Sequence, residues 1–272
     1  MQNNTDRKIY IASFSGGKDS LATIILAHEN NEPLDEIIFS EVMFDKNISG
    51  EYPEQMDFIK NKCAPLFEKW GYKFTILHSD KTYMDIFYHI NRKGNNIGAV
   101  RGFPMSGRCD INKSCKIKSI KDYFKNKDNF IQYIGIAMDE PKRLERLHKG
   151  ENKISLLEKY GYTEEMAMQK CKEYDLVSPI YSFAKRGGCW FCPNARMGEL
   201  KYLYENHIDL MDKLIDMEKT ENLAGYIWNT LTQTSIADIK ERIELEKAQA
   251  NIYDYMDGRG RLDFSDYKGG ND

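Results

Sequence analysis

The chain has no long apolar run. Its longest, "LATIILA" at Leu21–Ala27, spans seven residues, against the about 20 that a membrane-crossing helix requires. The opening "MQNNTDRK" lacks the basic-then-apolar build of a signal peptide, so the expectation is a cytoplasmic protein with no membrane partner. There is no excess of positive charge either: 39 Lys and Arg stand against 42 Asp and Glu, a net charge of −3. That balance excludes a generally basic nucleic-acid coat and leaves room only for a local patch. No internal repeat or low-complexity tract is present, which argues against solenoid and fibrous designs. Histidine is scarce, and the five residues (His28, His78, His89, His148, His207) lack the spacing of metal-ligand pairs, so they read as structural or exposed. What remains is ordinary: 272 residues, 41% hydrophobic and 30% charged, enough for a soluble protein with a substantial core.

Strand-like and helix-like segments alternate through the first half. "KIYIASF" precedes a helical stretch over 18–30; "DEIIFSEVMF" precedes an amphipathic helix over 54–69. "YKFTILH" reads as a third strand, 117–124 as part of a helix and "NFIQYIGIAM" as a fourth strand. This rhythm predicts an α/β fold with a mainly parallel, doubly wound sheet, whose ligands bind at the carboxyl ends of the strands. From about Pro141 the pattern is mostly helical, with helices expected over 141–148, 163–174, 195–206 and 208–220. The expected division is an α/β nucleotide-binding domain over 1–150 and a smaller helical module over 151–272, with the terminal "YKGGND" fraying.

Between the first strand and first helix the chain reads Ser13-Phe14-Ser15-Gly16-Gly17-Lys18-Asp19-Ser20. A strand that turns sharply into a helix leaves backbone N–H groups pointing out of the helix start. Glycines remove the Cβ atoms that would block an anion from reaching those amides, and the helix dipole favours negative charge there. Lys18 adds a mobile cation, and Ser15 and Ser20 add hydroxyl donors. A turn that merely caps a helix explains the glycines but not the lysine and hydroxyls. The spacing is not that of a Walker A loop.

This octapeptide resembles the PP-loop of the adenine nucleotide α-hydrolase superfamily, which includes N-type ATP pyrophosphatases, tRNA thiolases and the PAPS reductase family. Supporting features spread the resemblance over about residues 8–195. Phe44-Asp45 and "YPEQ" at 52–55 resemble the segment after strand two in PAPS reductase-like proteins. "GIAMDEPKR" at 135–143 resembles their Gly-Ile-Arg-x-x-Glu-Ser-x-Arg element, with Ala137 in place of the first arginine. The resemblance implies ATP bound with Mg²⁺ across residues 13–20, with Gly135 and Arg143 as further nucleotide contacts. It implies Lys18, Asp19, Ser20 and Asp45 as the residues of the reaction, Asp45 positioning Mg²⁺ or nucleotide.

Six cysteines in a chain read as cytoplasmic point to reduced, metal-bound or catalytic thiols rather than a disulfide framework. Cys109 and Cys115 in "GRCDINKSCKIK", and Cys189 and Cys192 in "RGGCWFCPNAR", together make four soft ligands. Spacing alone leaves zinc, a [4Fe–4S] cluster, or redox-active and persulfide-carrying thiols open. Assimilatory APS reductases and the PP-loop protein of DNA phosphorothioation, which the chain resembles, hold such a cluster on four cysteines; here the first pair is more widely spread. Trp190 and Phe191 either shield a cluster or form ordinary core. Cys63 and Cys171 read as small buried hydrophobes.

"EPKRLERLHKG" reads as a solvated helix face with Glu140 and Glu145 as internal partners, or as the element from which Arg143 reaches phosphates. Arg101, Arg108, Lys116 and Lys118 flank the first cysteine pair and suit the same work. The expected function is an ATP pyrophosphatase that adenylates a substrate, releasing pyrophosphate, for sulfur transfer; that substrate is RNA, DNA or a metabolite, and a sulfur donor is needed. One alternative is a phosphoadenosine or adenosine phosphosulfate reductase. It lacks support because such reductases lose the loop lysine and use a C-terminal nucleophilic cysteine, whereas no cysteine follows Cys192 here. The other is a non-catalytic nucleotide-binding scaffold.

Overall fold

The computed structural model describes residues 7–107 and 109–256; Arg108 and the terminal tail lie outside the described residues. Its centre is a five-stranded sheet in the order β3-β2-β1-β5-β6, built from β1 (Ile9–Phe14), β2 (Glu36–Glu41), β3 (Lys73–His78), β5 (Phe130–Ile134) and β6 (Lys153–Ile154). Every neighbouring pair is parallel, and helices cover both faces. The expected α/β fold with a parallel doubly wound sheet is therefore the observed one. A second, two-stranded parallel pair joins β4 (Val100–Gly102) to β7 (Leu223–Gly225).

The strand order determines where a ligand belongs. From β1 the chain winds outward through β2 and β3, then returns to the opposite side of β1 with β5. The winding direction reverses between β1 and β5, and the loops leaving those two strands part at their carboxyl ends to form a crevice. The glycine loop leaves β1 there, and Gly135 leaves β5 beside it.

Helix α1 (Lys18–Glu29) is buried continuously from Ser20 to Ala27, as expected of a helix enclosed on nearly all sides. It packs against the sheet and the helix Glu164–Glu173, with which it shares one apolar core. That core draws Ala12, Ile37 and Ile131 from the strands and Leu156, Ala167 and Leu176 from beyond residue 150. A second core joins Phe44, Tyr83, Phe103 and Cys115 to Trp190, Leu203, Leu214, Trp228 and Ile243. Both cores thus mix residues from before and after position 150.

The middle and later helices lie close to the sequence expectations: Pro141–His148, Glu164–Glu173, Met197–Asn206 and Ile208–Glu218. The third starts at Met197 because Arg196 is extended and its N–H is capped by Glu199 Oε2 at 2.7 Å. The 54–69 region is helical from Pro53 to Lys69, with a wider turn over Phe58–Cys63. The structure adds a helix, Ile236–Met256; among its described side chains, up to Ala250, the charge-rich sequence buries a thin stripe of Ile236, Ile239 and Ile243. Among the described residues no helix is long and apolar enough to cross a membrane.

Candidate functional site

The loop after β1 shows what each glycine does. Gly16 has φ +75°, a conformation L side chains avoid, and a Cβ there would lie 2.0 Å from Gln55 Nε2. Gly17 is different: its φ of −93° suits any residue, and an added Cβ would meet no backbone, only the Tyr181 hydroxyl at 3.3 Å and Ser15 Oγ at 3.5 Å. Backbone strain therefore accounts for the first glycine and not the second. The second keeps the start of α1 open, as close approach of a ligand to its amides requires.

The rest of the loop is held in place by its own side chains and by residues that reach it from elsewhere. Ser20 Oγ accepts from the Ser15 N–H at 3.1 Å, lies 3.0 Å from Ser15 Oγ and donates to the Gly17 carbonyl at 2.9 Å. Gln55, from "YPEQ", donates to the Gly16 carbonyl at 3.0 Å and in turn accepts from Ser178. Gly135 passes so close that a Cβ on it would lie 2.6 Å from Asp19 C and Ser20 N. Its glycine lets the β5 loop pack on the first turn of α1; this contact brings the two sides of the crevice together.

Lys18 is the charged centre. Its Nζ donates to Asp19 Oδ1 at 2.7 Å and to Glu164 Oε2 at 2.8 Å, with the side chain only 13% exposed. Burial works against its charge, but the two carboxylates outweigh burial and lift its pKa above the usual lysine value. Asp19 is raised, chiefly by burial, with Glu164 and Glu140 adding repulsion that Lys18 only partly offsets. The Lys18 N–H donates to the Tyr181 hydroxyl at 2.8 Å.

Ser13 points its hydroxyl to Gln132 Nε2, 2.6 Å away on β5, and Phe14 is buried in the first core. Arg143 pairs with Glu140 one turn away on its own helix, while Glu140 Oε2 also accepts from the Ala137 N–H at 3.3 Å. Asp45 Oδ1 accepts from the Asn47 and Ile48 amides, both at 2.7 Å, so it closes its own turn.

The cysteines divide into three groups. Cys63 and Cys171 are fully buried in the first core, and burial pushes both thiols up to about 12, as inert core residues. Cys109, Cys189 and Cys192 share one neighbourhood. The Cys189 and Cys192 thiols are raised first by burial and further by Cys109. Their loops are tied together directly by Gly107 N–H donating to Asn194 Oδ1 at 2.9 Å, and through Asn229, whose Nδ2 donates to the Pro193 carbonyl at 3.0 Å while its Oδ1 accepts from Ser106 Oγ at 3.2 Å. Cys115 packs in the second core, its thiol 3.3 Å from the Lys81 carbonyl, and it too is raised by burial first and then by Cys109. The expected four-cysteine cage is not assembled: among the described residues no three or more His, Cys, Asp or Glu side chains stand close enough together to hold a metal ion. The wide helical turn Asn112–Ile117 carries Cys115 inward while Cys109 stays exposed before it.

Beneath that neighbourhood lies Tyr83, fully buried and stacked on Phe191 with ring centroids 4.1 Å apart. Its hydroxyl has no hydrogen-bond partner, and its pKa is raised by burial first and then by Cys109, Cys189 and Cys192. Trp190 is core, with Nε1 donating to the Ser49 carbonyl at 2.8 Å and its ring against Phe44. Arg101 pairs with Asp110, and Lys118 with Asp80 and Asp122.

Sequence reasoning missed Gln55's role as a clamp and overlooked Glu164, Tyr181 and Tyr83. Each acts across 39 to 163 residues of chain or through burial, and no local motif marks such a contact.

No family model matches the sequence, and no curated protein does. Among solved structures the chain is similar to the U34-tRNA thiolase NcsA from Methanococcus maripaludis with its [4Fe-4S] cluster, at 16% identity and a TM-score of 0.43, over 88% of this chain and 82% of that one.

Proposed function

We propose that the protein is an ATP-dependent adenylating enzyme of the PP-loop type that serves sulfur transfer. The observation that carries this is the position of the Ser15–Ser20 loop: a lysine-bearing helix start, left open by Gly17, in the crevice where the parallel sheet reverses its winding.

In this reading the phosphate chain of ATP lies along the loop. A substrate oxygen attacks the α-phosphorus, the α–β bridging bond breaks, and pyrophosphate leaves with the electron pair. The loop amides and Lys18 stabilise charge on the transferring and leaving groups, and Ser15 and Ser20 hold the loop in shape for it. Asp19 is the loop carboxylate that would meet the Mg²⁺ accompanying ATP. A sulfur nucleophile then attacks the carbon bearing the adenylated oxygen, and AMP leaves with that oxygen.

Cys109, Cys115, Cys189 and Cys192 are the thiols that would carry the sulfur or be drawn together by a cluster. As they stand, these side chains are not gathered into a ready cage among the described residues. The partnerless Tyr83 hydroxyl beneath Cys109, Cys189 and Cys192 is a donor suited to a sulfur acceptor among them, since a buried unpaired hydroxyl costs about 1–3 kcal/mol.

The test is product analysis. The full chain is incubated with ATP, Mg²⁺, sulfide and, in turn, bulk tRNA, DNA and small-molecule acceptors. The expected products are AMP and pyrophosphate in equal amounts, lost in Lys18→Ala. Formation of ADP and phosphate, or tight ATP binding with no turnover under any acceptor, contradicts the adenylating reading; the second result favours the scaffold.

A further inference from the structure

Lys18 offers two groups to an incoming phosphate, its backbone N–H and its ammonium, and both are already occupied by side chains from far along the chain. The N–H donates to the Tyr181 hydroxyl at 2.8 Å. The ammonium donates to Glu164 Oε2 at 2.8 Å as well as to its neighbour Asp19. Tyr181 lies on the short 3₁₀ turn Pro179–Ser182, and Glu164 opens the helix Glu164–Glu173 that packs on α1. Ser178, which caps that turn, holds Gln55, which holds the Gly16 carbonyl. The 164–181 stretch therefore grips the loop from one side at Gly16, at the Lys18 amide and at the Lys18 ammonium.

We propose that Tyr181 and Glu164 are internal stand-ins for phosphate oxygens, displaced when a di- or triphosphate enters, and that they set the loop's affinity from outside the motif. This rests on the nucleotide reading above.

An N–H makes one good linear bond, so a phosphate oxygen and the Tyr181 oxygen compete for the Lys18 amide. The phosphate is the stronger acceptor because its bond is charge-assisted. The ammonium has three donors and can keep Asp19 while exchanging its second carboxylate. Glu164 is the partner that yields: its side chain is 49% exposed against 24% for Asp19, and its charge repels a polyphosphate. The 3₁₀ turn that carries Tyr181 ends seven residues before Cys189.

The experiment measures binding of inorganic pyrophosphate and of ATP by calorimetry to the full-length wild type, Tyr181→Phe and Glu164→Gln. Both substitutions keep the size of the side chain, and circular dichroism checks the fold. Each variant is expected to bind both probes about two- to tenfold tighter, the worth of one internal hydrogen bond no longer to be broken. Equal or weaker binding by the variants, with wild-type binding intact, overturns this inference and leaves the nucleotide reading standing. No binding by any of the three folded proteins overturns both. Hydrogen exchange gives a second reading: pyrophosphate should speed exchange across 178–192 in the wild type, and Tyr181→Phe should show fast exchange without ligand. Unchanged or slower exchange in the wild type counts against the displacement.

Discussion

The nucleotide loop and the cysteine neighbourhood lie in one chain, and they are organised in opposite ways. The loop is contiguous in sequence, and several of its polar groups pair within a few residues: Ser15 with Ser20, Lys18 with Asp19. The cysteines come from two loops 80 residues apart, Cys109 to Cys189, and are brought together by the second core and by asparagine bridges. A local site is specified by a short motif, even where distant side chains such as Gln55, Tyr181 and Glu164 clamp it. A composite site takes its shape from the packing beneath it, so a spacing rule can name its members without giving their arrangement.

This contrast has testable consequences, and the largest concerns the floor of the composite site. Trp190 is fully buried with its indole N–H satisfied; Trp190→Ala should cost about 3–5 kcal/mol in urea unfolding. A loss under 1 kcal/mol would mean the cysteine loops do not depend on that core. Next, Lys18→Ala should slow ATP cleavage to AMP by about 10²–10³-fold, the usual effect of removing one preorganised donor. An unchanged rate would remove the lysine from the chemistry.

Gly135→Ala should destabilise by about 1–3 kcal/mol through overpacking, because its Cβ would press on the backbone of Asp19 and Ser20. It should weaken ATP binding as well, whereas a change confined to stability would separate the β5 loop from the site.

The smallest effect is electrostatic. Asp19 has a folded-state pKa raised chiefly by burial, so its ionisation opposes folding. Wild-type stability relative to Asp19→Asn should fall as pH rises from below the ordinary aspartate value through the raised one, then level off. A rise over that window would show a carboxylate stabilised by Lys18 rather than strained by burial.

Much of the fold was legible because β1, β2, β3 and β5 carry dense apolar runs separated by helical periodicity. The strands β4, β6 and β7 have only two or three residues, too few to leave a pattern. The helix Ile236–Met256 buries a stripe too thin to stand out against its charges. In the site, Gly16 to Ser20 were readable because a strand–loop–helix junction is a local event. Asp45 stood out by resemblance and Arg143 by resemblance and by its basic helix, and the structure shows each engaged by its immediate neighbours. Tyr181 and Glu164 were not readable at all, since tertiary packing alone sets them against Lys18.

The central claim, that the opening of α1 exists to admit phosphate, is tested most directly at Gly17. Its backbone accepts any residue, and an alanine methyl would require only the Tyr181 hydroxyl to give by a few tenths of an ångström. The measurement is calorimetric titration of wild type and Gly17→Ala with α,β-methylene-ATP, alongside their melting temperatures. The account predicts a melting temperature little changed and binding weakened at least about tenfold, because the Cβ sits where an anion must approach the amides. Equal binding by a folded Gly17→Ala would contradict it.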